Sequence, residues 1–187
     1  MRQKDTARIA AAACREAGVA FPEPVVMQEF DEYHGEAVLQ QGLPRLLEYD
    51  ANVRGLHQAY LGTGAPAERS KKFQKMVEAV MTLWVGEELI IPGVESWAEF
   101  TERVNRGLSQ LMSGAGHAEE FVIFCSGGPI AIAMQRALNL SALDALRVAW
   151  MSRNCSYSEF LFSGQRFTLS AFNVFPHFDD AALLTYR

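Results

Sequence analysis

The succession of patterns along the chain predicts an α/β protein. In order it reads helix, strand, helices, strand, helix, strands, which implies a three-layer α/β/α sandwich with helices on both faces of a mixed, mostly parallel sheet. Two observations carry this. Phe121–Cys125 (FVIFC) is a continuous apolar run bounded by turn signals, as suits a strand buried on both faces of a parallel sheet. It leads through Ser126-Gly127-Gly128-Pro129 into an apolar helical pattern that lasts to Leu138. The 187 residues, 49% hydrophobic and 21% charged, are enough for one sizeable core, so a single domain over residues 1–187 is expected.

Residues 5–17 place Ala7, Ile9, Ala10, Ala13 and Cys14 at helical spacing, with Asp5 or Thr6 to cap the start and Gly18 to end it. Pro22 and Pro24 break that pattern, Val25–Gln28 reads as a short strand, and the chain then enters an acidic loop. A helix is expected over Ala37–Tyr49, interrupted at Gly42 and Pro44. A longer one follows from Pro66 to Gly86, with Phe73, Met76, Val77, Val80, Met81 and Trp84 on one face. The LGTGAPAERSKK stretch between them suits a mobile rim, and residues 30–95 as a whole suit a helical lid or insertion. Ser96 and Glu99 have capping-box spacing ahead of an apolar stripe of Trp97, Phe100, Val104, Leu108 and Leu111 or Met112. A short helix is expected over Ser141–Leu146. NCSYSEFLFSG and QRFTLSAFNVFPHF then read as two strands joined at Ser163-Gly164.

Charge and cysteine usage exclude several classes of function. Lys plus Arg total 17 against 22 Asp plus Glu, a net charge of -5 with no basic run, which argues against a nucleic-acid partner. No apolar run approaches the roughly 20 residues of a membrane span, and the first residues carry charges unlike a signal peptide, so a cytoplasmic protein without a membrane partner is expected. Cys14, Cys125 and Cys155 form neither an even set nor a CxxC pair. They are expected to be reduced, mostly buried thiols.

Several residues could carry chemistry. The Gly127 and Gly128 amides at a helix start suit an anion cradle, and equally a tight turn. Ser126 could be a nucleophile, but FCSGGP lacks the first glycine of G-x-S-x-G. Cys125 beside a helix N-terminus could be activated, or be inert packing at the end of a strand. Glu29, Asp31, Glu32 and Glu36 around His34 could hold a metal or supply an acid, or form a solvated loop. His34, His57, His117 and His177 show no HxH or HxxxH spacing, so no metal site is expected. His177 is expected to order the C-terminal turn.

Five stretches, in this order, resemble the histidine phosphatase superfamily, the phosphoglycerate mutase-like proteins: RQKDTA at Arg2–Ala7, MQEFDEY, ESWAEFTERV, VIFCSGGPI, and NCSYSEF with LSAFNVFPHFDD and LLTYR. The resemblance implies that Arg2 grips a phosphoryl group, that Glu29 is the proton donor to the leaving group, and that Ser126, Gly127 and Gly128 line the phosphate pocket. It implies substrates that are phosphate monoesters, with no cofactor. Two departures stand against it. The family's nucleophilic histidine lies in an R-H-G motif, which occurs nowhere in this chain, and its second histidine aligns with Ser126. The family's first strand, first helix and second strand have no counterpart, so the expected fold is N-terminally truncated. A phosphatase site without its nucleophile is therefore expected to be inactive or impaired. The alternatives are a non-catalytic phosphate-ligand or protein-binding module, and a hydrolase using Ser126 or Cys125. The missing strand would bare the Phe121–Cys125 edge, which upstream sequence, closure of the gap or a homodimer would cover.

Overall fold

The computed structural model describes residues 2–116 and 119–185. His117 and the final Tyr186 and Arg187 of the LLTYR stretch lie outside the described residues. The described residues fall into two compact units: residues 1–32, 103–140 and 147–187 form unit 1, and residues 33–102 with 141–146 form unit 2.

Unit 2 is helical. Helix α2 (Gly35–Tyr49), α3 (Ala51–Leu61) and α4 (Pro66–Val85) pack on one another. Asp50 divides α2 from α3 and caps the latter, accepting the Val53 N–H at 2.7 Å. Pro66 opens α4 at a position where its missing N–H costs nothing. The expected break at Gly42 and Pro44 does not occur. The helix continues because its buried face, Val38, Gly42 and Leu46, is held by tertiary packing, with Leu89 and Ile91 seated directly against Gly42. The apolar stripe of α4 is buried at Met76, Val80, Met81, Trp84 and Val85. Phe73 is the departure: it is exposed and packs on Tyr60, with ring centroids 5.5 Å apart. The expected mobile rim shrinks to residues 62–65 between α3 and α4, and Lys72 Nζ donates to Thr63 Oγ1 there at 2.6 Å. The core of this unit gathers Tyr33, Trp84, Trp97 and Phe100, with neighbouring centroids 5.2–5.6 Å apart, Tyr33 and Trp97 being 6.2 Å apart.

Helix α5 (Trp97–Gly114) starts in unit 2 and ends in unit 1. Its capping box forms as the spacing predicts: the Glu99 N–H donates to Ser96 Oγ at 3.2 Å, and Glu99 Oε2 accepts the Ser96 N–H at 2.8 Å.

Unit 1 holds α1 (Arg2–Glu16), the later part of α5, α6 (Gly127–Leu138), the end of α7 (Ala142–Met151) and the only strands among the described residues. Strands β1 (Tyr157–Ser163) and β2 (Arg166–Val174) form an antiparallel hairpin whose turn is Gly164-Gln165. The positive φ of Gly164 (57°) at the first central position is the type II′ arrangement, whose twist matches the flanking strands. Near its open end the ladder shifts register between Tyr157 and Glu159. There Asn173 takes the left-handed conformation that asparagine tolerates, with its amide donating to Met151 O at 2.9 Å. Helix α6 packs on β2.

Helices with a small sheet are compatible with the α/β class. The two other expected strands are not strands among the described residues. Residues 25–28 are irregular until a 3-10 turn begins at Gln28–Phe30, and Phe121–Cys125 carries no ladder. A strand exists only through a pairing partner, and neither segment has one there. Helix α7 is longer than expected, running on to Met151. The cysteines are free, but not mostly buried: Cys155 is exposed, and Cys14 and Cys125 are partly covered. Asn154 and Ser156 flank Cys155 in an exposed turn, which explains its accessibility. No described helix is long and apolar enough to cross a membrane.

Candidate phosphate site

A cleft of about 1050 Å³ lies within unit 1. One polar group of its lining is Arg2, Gln3 and Ser126 with Gly127. A second is Arg153, Asn154 and His177. The rest is largely apolar, with Phe121, Phe124, Phe160 and Phe162 prominent.

The polar wall is built by α1 and the start of α6. Ser126 is the N-cap of α6, yet its hydroxyl makes no capping bond; it accepts from Gln3 Nε2 at 2.6 Å instead. The cap is supplied from elsewhere. Glu32 Oε2 accepts the Gly128 N–H at 3.3 Å, setting a carboxylate where the helix dipole and an unpaired amide favour negative charge. The same carboxylate raises the Cys125 thiol, although the larger cause is burial of the sulfur; together they push it up to about 12. At neutral pH that sulfur is a thiol and not a nucleophilic thiolate.

The acidic turn is held by α5. One Arg103 nitrogen, Nη1, donates to the backbone oxygens of Gln28, Glu29 and Asp31 at 2.9, 3.0 and 3.0 Å. Gly107, one helical turn on, lets that turn approach: a Cβ there would stand 2.6 Å from Glu29 Cβ and 3.0 Å from Phe30 Cζ. Phe30 lines the cleft, whereas Glu29 is not among the lining residues. The structure thus brings Arg2, Ser126 and Gly127 to one cleft, gives Gly128 a carboxylate partner, and sets Glu29 on the adjoining turn. No group of three His, Cys, Asp or Glu among the described residues is arranged to hold a metal.

Arg153, His177 and Glu32 were not singled out for this cleft by their sequence context. Arg153 lies over the Phe175 ring, 4.3 Å from its centroid, and its N–H donates to Asn173 Oδ1 at 2.9 Å. His177 is exposed, with its ring 4.4 Å from that of Phe178. The course of the hairpin brings Arg153 and His177 into the lining of the cleft that Ser126 also lines, while Glu32 reaches the start of α6 from the acidic turn. No local spacing could have announced them.

The model of the histidine phosphatase superfamily (branch 1) matches residues 62–174, over half of the chain. The chain belongs to the histidine phosphatase superfamily. Within this superfamily domain the matched stretch includes Ser126, Gly127, Gly128 and Arg153, while Arg2 and Glu29 lie before it. The superfamily binds phosphate-containing substrates, and the family resemblance of the sequence is thereby borne out. No curated protein and no solved structure matches the chain.

Proposed function

We propose that this histidine phosphatase superfamily domain binds a phosphate-containing small molecule, or phosphate itself, in the unit 1 cleft without turning it over. The observation that supports this best is the pairing of Ser126 with Gln3 at the start of α6, where the superfamily places an imidazole. Phosphoryl transfer needs a nucleophile and dispersed positive charge around the equatorial oxygens. A serine hydroxyl donates one hydrogen bond and carries no charge, and the chain contains no Arg-His-Gly.

In this reading Arg2 supplies positive charge, with Ser126 and the Gly127 and Gly128 amides as further donors, and Glu29 keeps the position of the general acid. Glu32 must yield the Gly128 amide for that donor to be used. The same reading carries the finer fold, a three-layer sandwich with a mostly parallel sheet in one domain, residues 30–95 being its helical lid. A cytoplasmic location belongs with it, since three free thiols suit a reducing compartment.

Two measurements test it. With an aryl phosphate the 187-residue chain should show no turnover above the buffer rate; turnover that disappears in Glu29→Gln would overturn the non-catalytic part. Millimolar phosphate or vanadate should raise the melting temperature more than chloride at equal ionic strength. Removing one charge-assisted hydrogen bond, as in Arg2→Ala, should weaken phosphate roughly 10- to 100-fold, from about 1.5–3 kcal/mol. Equal stabilisation by chloride would overturn the binding part.

A further inference from the structure

The first turn of α6 already carries an anion, and that anion belongs to the chain. Ser126 is the N-cap, where a serine hydroxyl accepts from the helix amides, yet it makes no such bond and is held by Gln3 Nε2 at 2.6 Å. Pro129 has no N–H, so Gly127 and Gly128 supply the main-chain donors of that turn beyond the cap. One of these two is taken: the Gly128 N–H donates to Glu32 Oε2 at 3.3 Å, from 96 positions away in the chain.

We propose that Glu32 is an intramolecular competitor for phosphate, a carboxylate that holds the Gly128 amide while the site is empty and leaves it when a phosphate oxygen arrives. This role rests on the reading that phosphate binds at the start of α6. A carboxylate oxygen and a phosphate oxygen are both anionic acceptors, and the amide and helix dipole that favour one favour the other. The two cannot share the amide, because like charges would meet there. At 3.3 Å the existing bond lies just beyond the usual N–H···O range, so a better-placed acceptor displaces it.

The turn that carries Glu32 is anchored independently of this contact. Arg103 Nη1 holds the main-chain oxygens of Gln28, Glu29 and Asp31, and Gly107 admits the turn against α5. Exchange therefore needs only rotation of the half-buried Glu32 side chain, with the backbone left in place. Tethered so close, the carboxylate competes at a high effective concentration against any free anion. Glu32 thus acts by occupying the amide, and it raises the phosphate concentration at which the site fills.

Calorimetric titration of the full chain with inorganic phosphate, together with melting curves, tests this. Glu32→Ala removes the α6 cap and the competitor at once. It should lower the melting temperature of the free protein, as loss of a cap does, yet bind phosphate roughly tenfold more tightly. A cap with a structural role alone predicts the opposite sign for binding, because a frayed α6 holds an anion less well. Glu32→Gln keeps an acceptor without the charge, and should tighten phosphate with a smaller loss of melting temperature. Asp31→Asn removes a charge from the same turn without freeing the amide, and should leave phosphate affinity within about twofold. In NMR spectra of the wild type, the Gly128 amide resonance should move with phosphate and stay with chloride at equal ionic strength. If the wild type binds phosphate and neither Glu32 variant binds it more tightly, the competitor role is overturned while phosphate binding stands. Equal tightening in Asp31→Asn overturns that role too. If neither the wild type nor the Glu32 variants bind phosphate, both readings fall.

Discussion

Gly107 and Cys125 show how single residues constrain the cleft. At Gly107 the neighbouring atoms are the Cβ of Glu29 and the ring of Phe30, at 2.6 and 3.0 Å from where a Cβ would stand. The first is tied to the main chain and cannot swing aside. Gly107→Ala should therefore lower stability by about 1–3 kcal/mol, as overpacking does, and thermal denaturation will show it as a lower melting temperature. At Cys125 the folded state favours the protonated form, since burial and then Glu32 push the thiol up to about 12. A raised thiol pKa contributes stability that is fully present below the unfolded value and is lost as pH rises through the folded one. Melting temperatures of the wild type and Cys125→Ala should converge between about pH 9 and 12. In the native protein at pH 8, iodoacetamide should label exposed Cys155 well before Cys125. Of the candidate site residues, Ser126 and its two glycines were legible because a strand-like run, a turn and a helix meet within a few positions. Glu32 was legible only as one acid among several, because its partner Gly128 lies 96 residues away.

At the scale of the element, local rules held where the signal was complete within one turn. The Ser96–Glu99 box is closed by reciprocal bonds, and the Ser96 backbone N–H, followed by its hydroxyl, holds the Glu99 carboxyl below the usual range. A lowered carboxylate pKa contributes stability that is present above the unfolded value and lost as pH falls through the folded one. The difference in melting temperature between wild type and Glu99→Gln should thus be present at neutral pH and close as the solution is acidified. Ser96→Ala should cost about 1 kcal/mol at pH 7, measured by denaturant unfolding. The hairpin was equally legible, since Gly164 supplies the positive φ that its two-residue turn requires. Strands at Val25–Gln28 and Phe121–Cys125 were not, for a β-prone run becomes a strand only when another main chain pairs with it. The helix break at Pro44 failed for a related reason: packing of Val38 and Leu46 outweighs the hydrogen bond that proline forgoes.

For the molecule as a whole, stability rests on the separate cores of the two units. In unit 2 Phe100 is fully buried, with its ring 5.4 Å from Tyr33 and 5.6 Å from Trp97. Phe100→Ala should cost about 3–5 kcal/mol, a large share of a typical domain's stability, and should dim the near-ultraviolet circular dichroism of the Trp84 and Trp97 cluster. The sequence by itself determined α4, the hairpin, the capping box and the superfamily, because each is written in patterns of neighbouring residues, whereas α3 (Ala51–Leu61) was not marked in it. The tertiary structure alone decided that Gln3 holds Ser126 across 123 positions, that Glu32 caps α6, and that Arg153 and His177 line the same cleft. Those contacts depend on where the chain returns after long excursions, and neither period nor propensity carries that information.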